Sequence, residues 1–290
     1  MNEYLLAVVL GIVEGLTEFL PVSSTAHLRI VEALLGIELG NPYWKTFSIV
    51  IQLGAILCLP IYFRDRLFAF AHTFPRGTRG DRTRLTHPLT LTLIAFVATA
   101  IPAFLLTKVI GKHLESLVVM GLALVIGGIV MWVVDAIYEA RSRVALVRQG
   151  RTDDMEQMSV GQALWIGICQ VLSAVFPGTS RSMATITAGV LSGMSRPAAL
   201  EFSFFLSIPT MAAATVYDLL KSLRPHGGDA MGAMPHTMQA WLTLAIGFVV
   251  SFVVAYGVVA WFMAWVRTRG FAPFAVYRII VGAAVLWWAR

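Results

Sequence analysis

Charge is scarce in this chain. Only 13% of its 290 residues are Asp, Glu, Lys or Arg, against 58% hydrophobic residues and a mean hydropathy of +0.76. A soluble domain of this length carries roughly twice that charged share. The soluble globular classes are therefore excluded, and the chain reads as a polytopic membrane protein whose helices associate through packing and internal polar contacts. Cysteine is nearly missing too. Cys58 and Cys169 both lie in apolar runs, and no CxxC or Cys/His grouping exists. That excludes a disulfide framework and gives no sign of zinc or redox chemistry, so both read as small packing residues. The first twenty residues lack a basic leader and a small-residue cleavage site, and Glu14 and Glu18 interrupt their apolar run, so they read as mature protein. No ring of acidic residues and no filter-like segment supports an ion channel. The net charge of +6 is mostly loop arginine, which signals membrane topology and not a nucleic-acid partner.

Apolar runs long enough to cross a bilayer, about 20 residues, lie at 44–63, 89–107, 116–138, 199–220, 240–266 and 271–289. Two further pairs are shorter. The run 4–20 carries two carboxylates and breaks at Pro21 before a short continuation at 26–36, and the pair 161–176 and 182–192 has the same shape. Both are expected to be re-entrant helix–turn–helix hairpins. Irregular backbone at membrane depth is tolerated only beside protein or a water-filled cavity, so their turns should face each other. Arginine counts orient the spans. Loop 64–88 holds Arg64, Arg66, Arg76, Arg79, Arg82 and Arg84; loop 140–160 holds Arg141, Arg143, Arg148 and Arg151; the turn 267–270 holds Arg267 and Arg269. The alternate loops hold only Lys108 and Lys112, and Lys221 and Arg224. The positive-inside rule puts the rich loops in the cytoplasm and both termini outside.

The two hairpins are copies. GIVEGLTEFLPVSSTAHL at 11–28 lies on GICQVLSAVFPGTSRSMA at 167–184 with an offset of 156 (167 minus 11), matching Gly11 to Gly167, Pro21 to Pro177 and Ser24 to Ser180. Glu14 falls on Gln170 and Ser23 on Thr179. Three spans separate the copies, and an odd number reverses direction, so the repeat is inverted and its site belongs near the midplane. The expected fold is all-α: six transmembrane helices plus two re-entrant hairpins in one integral membrane domain, 1–290. Its halves, about 1–140 and 158–290, are joined by a cytoplasmic loop at 140–158.

Polar residues in the two copies differ in a useful way. Glu14 and Glu18 share one helical face, and two close carboxylates in low dielectric need a shared proton, a cation or a positive partner. Each unpaired charge at the bilayer centre costs roughly 3 kcal/mol, and Glu14, Glu18 and Arg181 together about 10 kcal/mol. Ser23, Ser24, Thr25 and His27 stand in the first turn; Gly178, Thr179, Ser180, Arg181 and Ser182 stand in the second. Helix N-termini with a planar guanidinium suit an anion, phosphate above all. Any one of these hydroxyls could equally be only a helix cap. The set suits phosphoryl transfer: Arg181 and backbone amides neutralise a phosphate, Glu14 and Glu18 bind a divalent ion or act as base, and His27 serves as nucleophile or acid. A midplane site reached laterally suits a substrate with a long lipid tail.

EGLTEFLPVSSTAH at 14–27 and PGTSRSMAT at 177–185 resemble the two signature motifs of the bacterial undecaprenyl-pyrophosphate phosphatase, or bacitracin-resistance, family. The resemblance extends to VIQLG at 50–54, EFSF at 201–204 and FAVYR at 274–278, with Ala26 where many members carry glycine. It implies removal of the terminal phosphate from undecaprenyl pyrophosphate, help from Mg2+ or Ca2+, and a site in the bacterial cytoplasmic membrane open to the periplasmic side, where the arginine counts also put both termini. It carries functional roles onto Glu14, Glu18, Ser24, His27, Ser180, Arg181 and Thr185. A polyprenyl-phosphate transporter or flippase using the same phosphate site is the runner-up, since broken helices in inverted repeats are its architecture. Its expected partners are the polyprenyl pyrophosphate lipid and the bilayer, with a homodimer as an open assembly. Tryptophans 241, 261, 265, 287 and 288 read as interface anchors, and Gly121, Gly127, Gly128, Gly189 and Gly193 as close helix contacts. Gln52 and Glu201, beside the hairpins, read either as supports of the site residues or, for Glu201, as a helix cap, and Tyr277 and Arg278 stay open in the same way.

Overall fold

The computed structural model describes residues 2–38, 40–106, 116–142, 150–223 and 237–289, with side chains described to residue 220 in the fourth stretch. Expectations placed on Lys108, Lys112, Arg143, Arg148, Lys221 and Arg224 fall outside these residues or side chains. Among the described residues there are eleven α-helices and no strand, apart from one isolated bridge between Thr152 and Met194. They are α1 (Glu3–Thr17), α2 (Ser24–Leu34), α3 (Pro42–Tyr62), α4 (Arg64–Thr73), α5 (Pro88–Leu105), α6 (Leu117–Ser142), α7 (Val160–Val175), α8 (Arg181–Leu191), α9 (Arg196–Leu223), α10 (Met238–Thr268) and α11 (Ala272–Trp288). Starts follow from local chemistry. Asn41 and His87 cap helices that begin with proline, whose missing N–H costs nothing there, and Ser159 forms a capping box with Gln162.

Helices α3, α5, α6, α9 and α10 are long and apolar enough to cross a membrane. The expected span 271–289 is the apolar helix α11, shorter at 17 residues. Outward faces are apolar: Phe104 is 69% exposed, Val253 60% and Trp287 77%, surfaces that lipid and not water covers. Small residues allow the closest approaches. A Cβ on Gly54 would stand 2.5 Å from the Phe248 carbonyl oxygen of α10, and one on Gly167 2.4 Å from the Ala95 carbonyl oxygen of α5. Gly193 departs from the expected role, because it has open space around it and serves a turn with φ of +90°.

Polar residues gather at two ends. At one, Arg66 of α4 reaches Glu201 at 3.0 Å, Asp154 at 2.7 Å and Glu156 at 3.3 Å, and Arg196 of α9 reaches Asp135 at 2.6 Å. The second oxygen of Asp135 accepts from the Phe271 and Ala272 amides and so caps α11. At the other, Gln239 donates to Glu3 at 3.2 Å and the Tyr43 hydroxyl to the Ala240 carbonyl at 3.1 Å. Thus α1 starts at the end opposite to α7.

Both apolar runs are broken into helix pairs, α1–α2 and α7–α8. Their second limbs have the same length, 11 residues each, and α1 packs on α10 as α7 packs on α5. The alignment of their turns needs correcting. Ser23 and Ser180 are structural equivalents: both are N-caps, with φ of +75° and +71°, accepting from Ala26 and Met183. Ser180 therefore matches Ser23, not Ser24. The second turn holds one more residue between proline and cap, and Gly178 absorbs it at φ +93°. Among the described residues, Ser23 and Ser180 are the non-glycine positions in the left-handed region. Such backbone costs about 1–3 kcal/mol and concentrates at functional sites.

Candidate active site

The first helix delivers its carboxylates to the break. Glu14 lies in the last turn of α1 and Glu18 is its C-cap, 1% and 6% exposed. Arg181, the first residue of α8, comes from the other pair, and its Nη2 meets Glu18 Oε1 at 3.1 Å. Ser24 donates to the second oxygen, Oε2, at 2.5 Å, and Ser182 donates to the Glu18 carbonyl at 3.3 Å. Glu18 thus joins the two turns by side chain and main chain. Arg181 Nη1 donates to the Ser203 carbonyl at 3.3 Å and to the Ser207 hydroxyl, both on α9, while its Nε has no partner. Thr185 pairs with the Ser203 hydroxyl at 2.7 Å. Removing one member of a buried ion pair costs 3–5 kcal/mol, because the survivor is left uncompensated.

Neither carboxylate oxygen of Glu14 has a hydrogen-bond partner. Arg181 pairs with Glu18 alone, so an ionised Glu14 needs a proton or a cation beside it. No group of three or more His, Cys, Asp or Glu able to hold a metal exists among the described residues. Magnesium needs no such cage, since one or two carboxylates, water and substrate phosphates complete its shell. The free oxygens of Glu14 beside Glu18 fit that requirement.

These groups border a cavity of about 520 Å³. Glu18, Ser23, Ser24, Thr25, Gly178, Ser180 and Arg181 line its polar part, with Gln52, Gln170 and Ser173. Its apolar part runs between α5 and α9, from Phe96 to Phe104 and from Met211 to Tyr217. Five predicted residues stand outside this lining. Glu14 is buried behind it. Ser182 and Thr185 spend their hydroxyls on Glu18 and Ser203. Thr179 faces a separate apolar groove between α6, α7 and α8. His27 Nδ1 meets the Ser23 carbonyl at 2.7 Å and Nε2 meets the Tyr277 hydroxyl at 2.8 Å, the two rings stacked 5.5 Å apart.

One residue left without a role proves central to the geometry. Arg278 is fully buried in α11, with no carboxylate partner. Its Nη1 donates to the Pro21 carbonyl at 3.0 Å, and its Nη2 to the carbonyls of Gly178, Thr179 and Ala123 at 3.1, 3.0 and 3.0 Å. It ties both turns together from behind. Gly127 makes room, since a Cβ there would stand 2.3 Å from Arg278 Nη2. The available signal was a lone cation within the last apolar run, in FAVYR. Glu32 was also missed: fully buried on α2, it pairs with Arg29 at 2.9 Å and accepts from Ser48 at 3.1 Å.

Fold and site together define a multi-pass helical membrane protein in which two broken helix pairs close on a pocket of carboxylate, guanidinium and hydroxyl groups. The chain belongs to the bacitracin resistance protein BacA family, whose pattern matches residues 7–284. It is similar to the undecaprenyl-diphosphatase of Koribacter versatilis, 71% identical over 291 aligned positions that cover 100% of this chain and 99% of the relative. It also resembles the undecaprenyl-diphosphatase 2 of Paramagnetospirillum magneticum, at 43% identity over 96% of this chain and 95% of the relative. The undecaprenyl-diphosphatase of Caldanaerobacter subterraneus is 40% identical, over 99% of this chain and 96% of its own.

Proposed function

We propose that this chain is an undecaprenyl-diphosphatase, which removes the terminal phosphate of undecaprenyl pyrophosphate and returns the monophosphate carrier to cell-wall synthesis. The observation that carries this reading is Glu18, bonded to both Arg181 and Ser24 where the two turns meet on the cavity. Phosphoryl transfer needs chiefly positioning and charge stabilisation. Arg181 on the cavity lining supplies positive charge for phosphate oxygens, and the starts of α2 and α8 offer backbone N–H groups. Ser24 Oγ attacks the terminal phosphorus while its proton passes to Glu18 Oε2. The bridging oxygen leaves with the polyprenyl phosphate, and water then cleaves the phosphoserine to inorganic phosphate. Glu14 and Glu18 are the residues that would hold Mg2+ or Ca2+, which would supply positive charge beside the phosphate. His27, held by Tyr277, acts as a support of the first turn.

The topology follows the same reading. Helices α3, α5, α6, α9, α10 and α11 make six crossings, and the broken pairs dip in from opposite faces, as the opposite starts of α1 and α7 support. The arginine-rich end is cytoplasmic. The cavity reaches Phe104 and Asp218 near the far ends of α5 and α9, so it opens toward the periplasm, where the lipid tail leaves between those helices.

Purified protein in liposomes is expected to release inorganic phosphate from undecaprenyl and farnesyl pyrophosphate, to slow on chelation of divalent ions, and to carry phosphate on Ser24 after acid quench. No release with Mg2+ or Ca2+ present would overturn the enzyme reading. Movement of labelled polyprenyl phosphate across the bilayer without release would favour the transporter, which the paired broken helices also suit.

A further inference from the structure

Gln170 of α7 occupies the place in the second copy that Glu14 holds in the first. It is 1% exposed, its Oε1 has no hydrogen-bond partner, and it lines the same cavity as Glu18, Ser24 and Arg181. An amide oxygen buried without a partner is destabilising, and an apolar side chain of similar shape avoids that cost. A ligand that brings a donor to the cavity removes it. Ionised phosphate oxygens bring only acceptors; a water molecule brings donors. A primary amide serves both, through its N–H groups and its carbonyl. It also adds no charge to a site where the Glu14 carboxylate already has no hydrogen-bond partner.

We propose that Gln170 seats the hydrolytic water, accepting from it at Oε1 while Nε2 donates to a phosphate oxygen. This deepens the phosphatase reading and rests on it. In the step concerned, the water oxygen bonds to phosphorus and the Ser24 Oγ–P bond breaks. Glu18 returns to Ser24 Oγ the proton it took in the first step and accepts one from the attacking water, which it releases to solvent as phosphate leaves. Gln170 touches the reacting atoms in this step and is a catalytic residue in that sense.

The test compares the parent with Gln170→Leu and Gln170→Glu on undecaprenyl pyrophosphate, with thermal unfolding recorded for each. Loss of one positioned polar contact of this kind lowers kcat on the order of 10²-fold. For Gln170→Leu that loss is expected with KM changed less than threefold and with phosphoserine at Ser24 accumulating in the steady state. Gln170→Glu, neutral only when protonated, is expected to recover activity as pH falls, against the parent's profile. Parent-like turnover in both variants overturns the inference, as does a slowed Leu variant that accumulates no phosphoserine. Failure of the parent itself to release phosphate sinks the phosphatase reading instead.

Discussion

Glu18 uses both carboxylate oxygens and its carbonyl on three partners from two parts of the chain: Arg181, Ser24 and Ser182. In so dry a place the pair is a unit. Glu18→Ala and Arg181→Ala are each expected to lower stability by about 3–5 kcal/mol, and the double variant by much less than their sum. A double-mutant cycle by thermal unfolding in detergent reads the coupling; additivity would show that the two side chains do not meet. Arg181 was legible because a cation after a proline break has few other uses in lipid, whereas Ser24 was marked by its motif, since a hydroxyl there could equally cap a helix. Their exact company was not, since Ser203 and Ser207 sit in an ordinary apolar run. Outside the spans, burial between Phe70 and Phe74 holds the His87 imidazole below its ordinary value of 6.5. The unfolded chain therefore binds that proton more readily. His87 adds stability in full above pH 6.5, and it is lost as pH falls from there toward the depressed value. Comparison of pH-dependent unfolding with His87→Asn checks this, and the variant should flatten the acid side of the curve.

The two broken helix pairs depend on α11, which shares no sequence with them. Arg278 holds carbonyls of Pro21, Gly178 and Thr179 that would otherwise lie unpaired in the interior. Lysine keeps the charge but lacks the fork that spans both turns. Arg278→Lys is expected to cut kcat by more than tenfold. Gly127→Ala, which forces a methyl against the same guanidinium, should move activity in the same direction. Turnover assays of both check the tie; parent-like rates would show the turns held by other means. The breaks themselves were plain in the sequence, because proline and small residues interrupt two apolar runs. The tie was not, because residues 21, 178 and 278 meet only through the fold, and an arginine in an apolar run carries no mark of its partner. Nor did the alignment find the extra residue in the second turn, since an offset of 156 pairs Ser23 and Ser24 with Thr179 and Ser180, two hydroxyl matches that the structural register gives up.

Across the whole molecule, charge is sorted by end. Arg66, Glu201, Asp154, Glu156, Arg196 and Asp135 tie α4, α6, α9 and the segment before α7 at one end, which loop arginines had marked. Long apolar runs made α3, α5, α6, α9 and α10 legible almost to their ends, since lipid leaves helix as the way to satisfy the backbone. The orientation predicts that an impermeant maleimide labels Gln239→Cys but not Asp81→Cys in intact spheroplasts; the reverse pattern would invert the protein.

The central claim, that Glu18 and Arg181 form a diphosphate-cleaving pocket, is tested most directly by phosphate release from undecaprenyl pyrophosphate by Arg181→Lys. The lysine keeps a cation beside Glu18, so the melting temperature should stay within a few degrees of the parent while turnover falls at least 100-fold, the scale on which positioned electrostatic contacts act. A folded Arg181→Lys protein that turns over at the parent's rate would contradict the account.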